Sequence, residues 1–126
     1  MNRTLPVLLA LALVLACAQL APAQQDMKTL APAAYGNKLT RPPAQFNHDQ
    51  HNEKAKLADC VVCHHGGKDG KIDRSASTEG TPCADCHALK VQGKGTALTR
   101  AYHKQCIGCH QAKGKGPVAC GQCHKR

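Results

Sequence analysis

Four times along the chain, two cysteines, a two-residue gap and a histidine recur: CVVCH at residues 60–64, CADCH at 83–87, CIGCH at 106–110 and CGQCH at 120–124. Cysteines three apart lie on nearly one face of a helical turn, within reach of the two vinyl groups on one side of a porphyrin. The next residue then falls beneath the ring, where an imidazole nitrogen can meet iron. C-x-x-C-H is accordingly the attachment signature of c-type haem. The four copies use Cys60, Cys63, Cys83, Cys86, Cys106, Cys109, Cys120 and Cys123, and leave only Cys17 outside the pattern. Paired C-x-x-C also serves structural zinc, and an exported chain can form disulfides. Neither calls for a histidine after every second cysteine.

The chain has eight histidines. His64, His87, His110 and His124 belong to the motifs; His48, His51, His65 and His103 do not. Four six-coordinate irons need one further axial ligand each, so supply matches demand. Any one spare histidine, taken singly, could be a solvated surface group. Phe46 and Tyr102 stand close to two of them in sequence.

Short elements must position these groups. The first cysteines of the motifs are 23, 23 and 14 residues apart. That uneven period suits four cofactors, each wrapped by a short piece of chain, and no solenoid. Residues 24–44 hold Pro32, Pro42 and Pro43 and read as extended, with a short edge strand before Phe46. Residues 52–60 (NEKAKLADC) favour a short helix. Residues 66–82, rich in Gly, Ser, Lys and Asp, read as a loop. Residues 96–110 are the strongest helix candidate, with Thr96 as N-cap, and KGKGP at 113–117 is a turn. The fold expected is mainly α with little regular secondary structure and a short N-terminal β-hairpin.

Residues 1–23 read as a secretory signal peptide. Arg3 supplies the positive region, residues 7–15 the apolar run, and Ala21-Pro22-Ala23 the cleavage site, with Ala16-Cys17-Ala18 as an alternative. Nine apolar residues are too few to span a bilayer comfortably. Cys17 follows Val-Leu-Ala, so a lipid anchor is the rival reading, with Leu15 large for such a site. Cleavage after Ala23 leaves 103 residues: an extended segment at 24–45 and a cofactor domain at 46–126. Only fifteen larger apolar side chains remain, from Met27 to Val118. They cannot offset the ordering entropy of such a chain, so the core must be the cofactors themselves.

The run FNHDQH at 46–51, then CVVCHH at 60–65, then three further C-x-x-C-H motifs, resembles the tetrahaem cytochrome c3 family, the class III c-type cytochromes of sulfate-reducing bacteria. The resemblance covers residues 46–124. It implies a periplasmic electron carrier with four covalently bound, closely packed, bis-histidine haems of low potential. It also implies axial pairs: His64 with His48, His87 with His65, His110 with His51, and His124 with His103. Phe46 would sit between the first and third haems. Many members space the cysteines of the second and fourth motifs more widely, whereas every gap here is two. The distal ligand of the fourth haem usually lies well before the third motif; here only Lys104 and Gln105 separate His103 from Cys106.

Two histidines on each iron close the coordination sphere, and histidine without methionine favours a lower potential. The function expected is electron transfer and not bond chemistry, so no enzyme. Residues 24–85 balance eight Lys/Arg against eight Asp/Glu; residues 86–126 hold eight Lys/Arg and no acid. That basic end is expected to steer an acidic redox partner. The resemblance implies a periplasmic hydrogenase or formate dehydrogenase, with onward delivery to a membrane redox complex, as in sulfate respiration. The carrier is expected to be a monomer, and nucleic acid is no partner for an exported protein. Two rivals differ in class. A multihaem reductase of nitrite, hydroxylamine or a metal ion would keep one iron open, and a membrane-complex subunit would be held through Cys17.

Overall fold

The computed structural model describes residues 27–68 and 70–126. The signal peptide reading, with both cleavage sites and Cys17, falls outside the described residues. Near the start, strand β1 (Thr29–Leu30) pairs antiparallel with β2 (Ala44–Gln45), matching Thr29 to Gln45 and Leu30 to Ala44. This is the short hairpin expected ahead of Phe46. Pro42 and Pro43 precede β2, where a missing N–H removes no ladder bond. The segment between the strands is not wholly extended, because Ala33–Tyr35 forms one 3-10 turn.

Helix α1 runs His48–Ala55, earlier than the 52–60 expected. Its start is set by Asn47, whose side chain accepts the Gln50 N–H at 3.0 Å. Its end is set by Lys56 in the left-handed region (φ 52°), with the Leu57 N–H on the Asn52 carbonyl at 2.9 Å. The cap outweighed the helix formers downstream: Leu57 and Ala58 lie beyond the stop.

Residues 66–82, expected as a loop, contain a hairpin. Strand β3 (His65–Lys68) pairs antiparallel with β4 (Lys71–Ser77). Two residues connect them, and Asp-Gly at 69–70 is a strong hairpin signal that composition had hidden. Gly70 takes φ 75°, which few other residues adopt at low cost. Every residue of β4 is exposed, so no inward-outward alternation announces the strand. The register slips between His65, opposite Ser77, and Gly66, opposite Asp73, leaving residues 74–76 as a bulge.

Three of the four motifs sit on single turns: a 3-10 turn at Cys60–Val62, α2 at Cys83–Cys86 and α4 at Cys120–Cys123. In each, the motif histidine N–H reaches back to the first cysteine carbonyl: His64 to Cys60 at 2.8 Å, His87 to Cys83 at 2.8 Å, His124 to Cys120 at 2.9 Å. The third motif lies within α3 (Leu98–Lys113), the longest described element at 16 residues. Ala97, not Thr96, is its N-cap, and no side chain caps it. Gly114, left-handed at φ 62°, ends it inside the turn expected at KGKGP. Leu98 is the single fully buried hydrophobic side chain among the described residues. No described helix is long and apolar enough to cross a membrane.

Candidate haem-binding centres

Each turn brings its two cysteines and histidine to one side, and the tertiary fold brings a second histidine to each. The ring centroids of His48 and His64 are 6.3 Å apart, His65 and His87 6.2 Å, His51 and His110 6.0 Å, and His103 and His124 6.3 Å. The rings are inclined by 49° to 70° rather than stacked. Every pair joins one motif histidine to one histidine outside the motifs. Two imidazoles ligating one metal ion from opposite sides, each about 2 Å from it, would hold their centroids about 6 Å apart. The donor set and its spacing therefore fit an iron bound on both faces.

The other ring nitrogen is fixed in most of these residues. Nδ1 lies 2.8 Å from the Gly66 carbonyl oxygen for His65, 2.9 Å from that of Thr96 for His87, and 2.8 Å from that of Thr99 for His103. The same contact is 2.6 Å to Pro117 for His110 and 2.7 Å to Pro42 for His124. A carbonyl only accepts, so each Nδ1 carries the proton and donates. Nε2 is left with its lone pair, the tautomer a metal requires. His48 donates Nδ1–H to the Asp49 carboxylate at 2.9 Å. His51 is different: its Nδ1 is buried and has no hydrogen-bond partner among the described residues.

Short pieces of chain string the pairs together. His64 and His65 are adjacent, and they belong to the pairs with His48 and with His87. Helix α1 carries His48 and His51, three residues apart on one face, and so joins the pair of His64 to that of His110. Helix α3 carries His103 and His110, two turns or about 10 Å apart, and joins the pair of His51 to that of His124. Thr78 pins the adjacent histidines by donating its N–H to the His64 carbonyl at 2.7 Å and its hydroxyl to that of His65 at 3.2 Å. The Phe46 ring lies 5.1 Å from His51 and 6.1 Å from His48, between the two pairs that α1 serves.

None of the eight described cysteines is spent in a disulfide, so all are available for attachment. Several are drawn towards one another. Although Cys106 as a residue is exposed, its thiol is pushed up to about 11, first by burial of the sulfur and then by the charges of Cys63, Cys123, Cys109 and Cys83. Burial likewise pushes the Cys63 thiol up, opposed by a hydrogen bond from Gln105. The half-buried Tyr102 phenol is raised by burial and next by its hydrogen bond with Cys83, which ties the second motif to α3. No group of three His, Cys, Asp or Glu side chains among the described residues converges as a compact metal site.

Several supporting residues carry no signal in the sequence. Gly116 (φ 96°) passes so close to His110 that a Cβ there would lie 2.5 Å from the ring's Cδ2. Gln122, inside the fourth motif, accepts the N–H groups of Val118 and Ala119 at 3.0 and 2.9 Å. Tyr35 and Thr99 share a hydrogen bond of 2.8 Å between their hydroxyls, tying the N-terminal hairpin's loop to α3. Each contact depends on chain segments whose approach no local pattern encodes.

Residues 22–124 match the model of the class III cytochrome c family. A cytochrome c3 of Desulfovibrio desulfuricans is 36% identical over 110 residues, covering 82% of this chain and 97% of that protein. A cytochrome c3 of Maridesulfovibrio salexigens is 38% identical over 115 residues, covering 82% and 96%. A nine-heme cytochrome c of Desulfovibrio desulfuricans is 34% identical over 86 residues, 22% of its own length. The chain belongs to the class III cytochrome c family. It is a small multihaem c-type cytochrome that transfers electrons, with haems held covalently. The cysteines of the repeated motifs are the groups suited to that attachment.

Proposed function

We propose that the protein binds four haems, each on one C-x-x-C-H motif and each with two axial histidines. The first takes His64 and His48, the second His87 and His65, the third His110 and His51, the fourth His124 and His103. The observation that carries this reading is the regular spacing of the four ring pairs, 6.0 to 6.3 Å, each pair with one member from a motif. Bound haem supplies a one-electron ferric–ferrous couple of low potential when histidine occupies both faces. The chain's own contribution is positional. The Nδ1 hydrogen bonds hold the imidazoles in orientation, so that reduction and oxidation require little rearrangement.

With all eight histidines paired, no iron is left for a substrate, which favours a carrier over a reductase. The carrier would work in the periplasm, receiving electrons from a hydrogenase or formate dehydrogenase and passing them to a membrane redox complex. The leader-like sequence at residues 1–23 and the resemblance to periplasmic carriers support that location. The lysine-rich stretch at 86–126 supports docking to an acidic partner. Pyridine haemochrome assay is expected to count four haems per chain. The ferric spectra should be wholly low-spin, and the ferrous protein should bind no carbon monoxide without denaturant. A haem that takes carbon monoxide in the native protein would overturn the bis-histidine reading.

A further inference from the structure

The first attachment turn is held from outside by two side chains that belong to no motif. The last carbonyls of the Cys60–Val62 turn have no partner within it, as at any helix end. Arg74 Nη1 donates to the Val61 oxygen at 3.2 Å and to the Val62 oxygen at 3.1 Å. Gln105 Nε2 donates to the same Val62 oxygen at 2.8 Å and approaches Cys63 Sγ at 3.7 Å. In the holoprotein that sulfur is a thioether, which still accepts a weak hydrogen bond. Arg74 lies in the β4 bulge, where the slipped register turns its side chain back towards the turn. Gln105 immediately precedes Cys106, so the amide that grips the first motif is rooted at the third.

We propose that Arg74 and Gln105 are positioning residues that lock the first attachment turn onto the hairpin and α3, and that they hold the first haem's reduction equilibrium above where the bare turn would leave it. The inference rests on the reading that Cys60, Cys63 and His64 carry a haem. Two effects act in the same direction. A fixed guanidinium charge beside the attachment segment favours the electron-rich, reduced form. A donor aimed at the Cys63 sulfur withdraws electron density from the attached ring's edge, as hydrogen bonds and nearby charge do in other haem and iron–sulfur proteins. A haem held there would take its electron from the redox partner in a one-electron step that makes and breaks no bond in the chain.

The test is a redox titration of the holoprotein followed haem by haem through its resolved haem-methyl NMR signals. Arg74→Gln removes the charge but keeps a polar side chain, Gln105→Ala removes the amide, and Arg74→Lys restores the charge. At a fixed solution potential, Arg74→Gln should lower the reduced-to-oxidised ratio of the first haem about threefold. Gln105→Ala should lower it about twofold, and the other three haems should move less than the first in both. Arg74→Lys should recover most of the ratio, which a purely structural role would not give. An unchanged first haem in both Arg74→Gln and Gln105→Ala, with four haems still counted, overturns the inference alone. Wild-type protein that carries no haem on Cys60 and Cys63 overturns the reading beneath it. If Arg74→Gln does not mature, Gln105→Ala and Arg74→Lys decide the matter from the same signals.

Discussion

The histidines before residue 80 and those on α3 are held in two different ways. In the first region, His48 and His51 share one face of an eight-residue helix, and His64 and His65 are neighbours on the backbone. There, ring positions depend on a cap at Asn47, a Thr78 that grips both histidine carbonyls, and a hairpin with a bulge. In the second region, His103 and His110 are carried two turns apart by a 16-residue helix. A regular helix fixes that separation by its own hydrogen bonds, whereas adjacent residues at a strand start need outside contacts to keep their side chains apart. The regions also differ in charge, since residues 24–85 are balanced and 86–126 are wholly basic. Close coupling of two sites thus coincides with many local supports, and the exposed basic surface coincides with the plain helix.

The largest effect expected is loss of the fold in both regions when haem is withheld. With Leu98 the single fully buried hydrophobic side chain among the described residues, the haem-free chain should show no cooperative thermal transition by circular dichroism. A sharp transition would mean that α3 or the hairpin folds on polypeptide contacts alone. Next come axial substitutions. His65→Met should raise the potential of the second haem by on the order of 100 mV and visibly perturb the first, because His64 is its backbone neighbour. His103→Met should raise the fourth haem similarly, while the third, attached at Cys106 but ligated by His110 seven residues on along a regular helix, should move less than the first haem does in His65→Met. Equal spread from both substitutions, read by haem-resolved redox titration, would erase the contrast.

Smaller again is Gly116→Ala. Its Cβ would strike the His110 ring and would have to adopt φ 96°, costing about 1–3 kcal/mol of stability in a thermal melt and disturbing the third haem first. The smallest effect expected concerns docking. Lys104→Glu or Lys113→Glu should slow association with an acidic redox partner about threefold at low salt, with the difference fading as salt rises. Lys54→Glu, on α1, should leave the rate nearly unchanged. Stopped-flow electron transfer at several ionic strengths measures both, and a rate insensitive to salt and to all three substitutions would remove the basic face from the docking account.

Much of the site was legible because thiols and imidazoles carry their chemistry in their own atoms. CVVCH and its three repeats name their cofactor class without a fold, and the count of spare histidines is a property of composition. Element boundaries were less legible. Helix α1 begins at His48 because the Asn47 cap acts before the favourable helix formers Glu53, Lys54 and Ala55. The 65–77 hairpin carries little sequence signal because β4 is exposed along its length and lacks the alternation that marks a half-buried strand. Thr96 was expected as a cap, yet its carbonyl instead receives the His87 proton.

Residue types and their order are enough to define the class of protein: four thiol pairs, a histidine tied to each by chain order, too few apolar side chains for a polypeptide core, and a basic end. Which rings face one another was decided only in three dimensions. The proton on His124 finds the carbonyl of Pro42, 82 residues earlier, and Gln105 grips Val62 across 43. Such contacts join segments with no common periodicity, so nothing local encodes them. They arise when the chain closes around its four ring pairs and most buried polar groups find a partner.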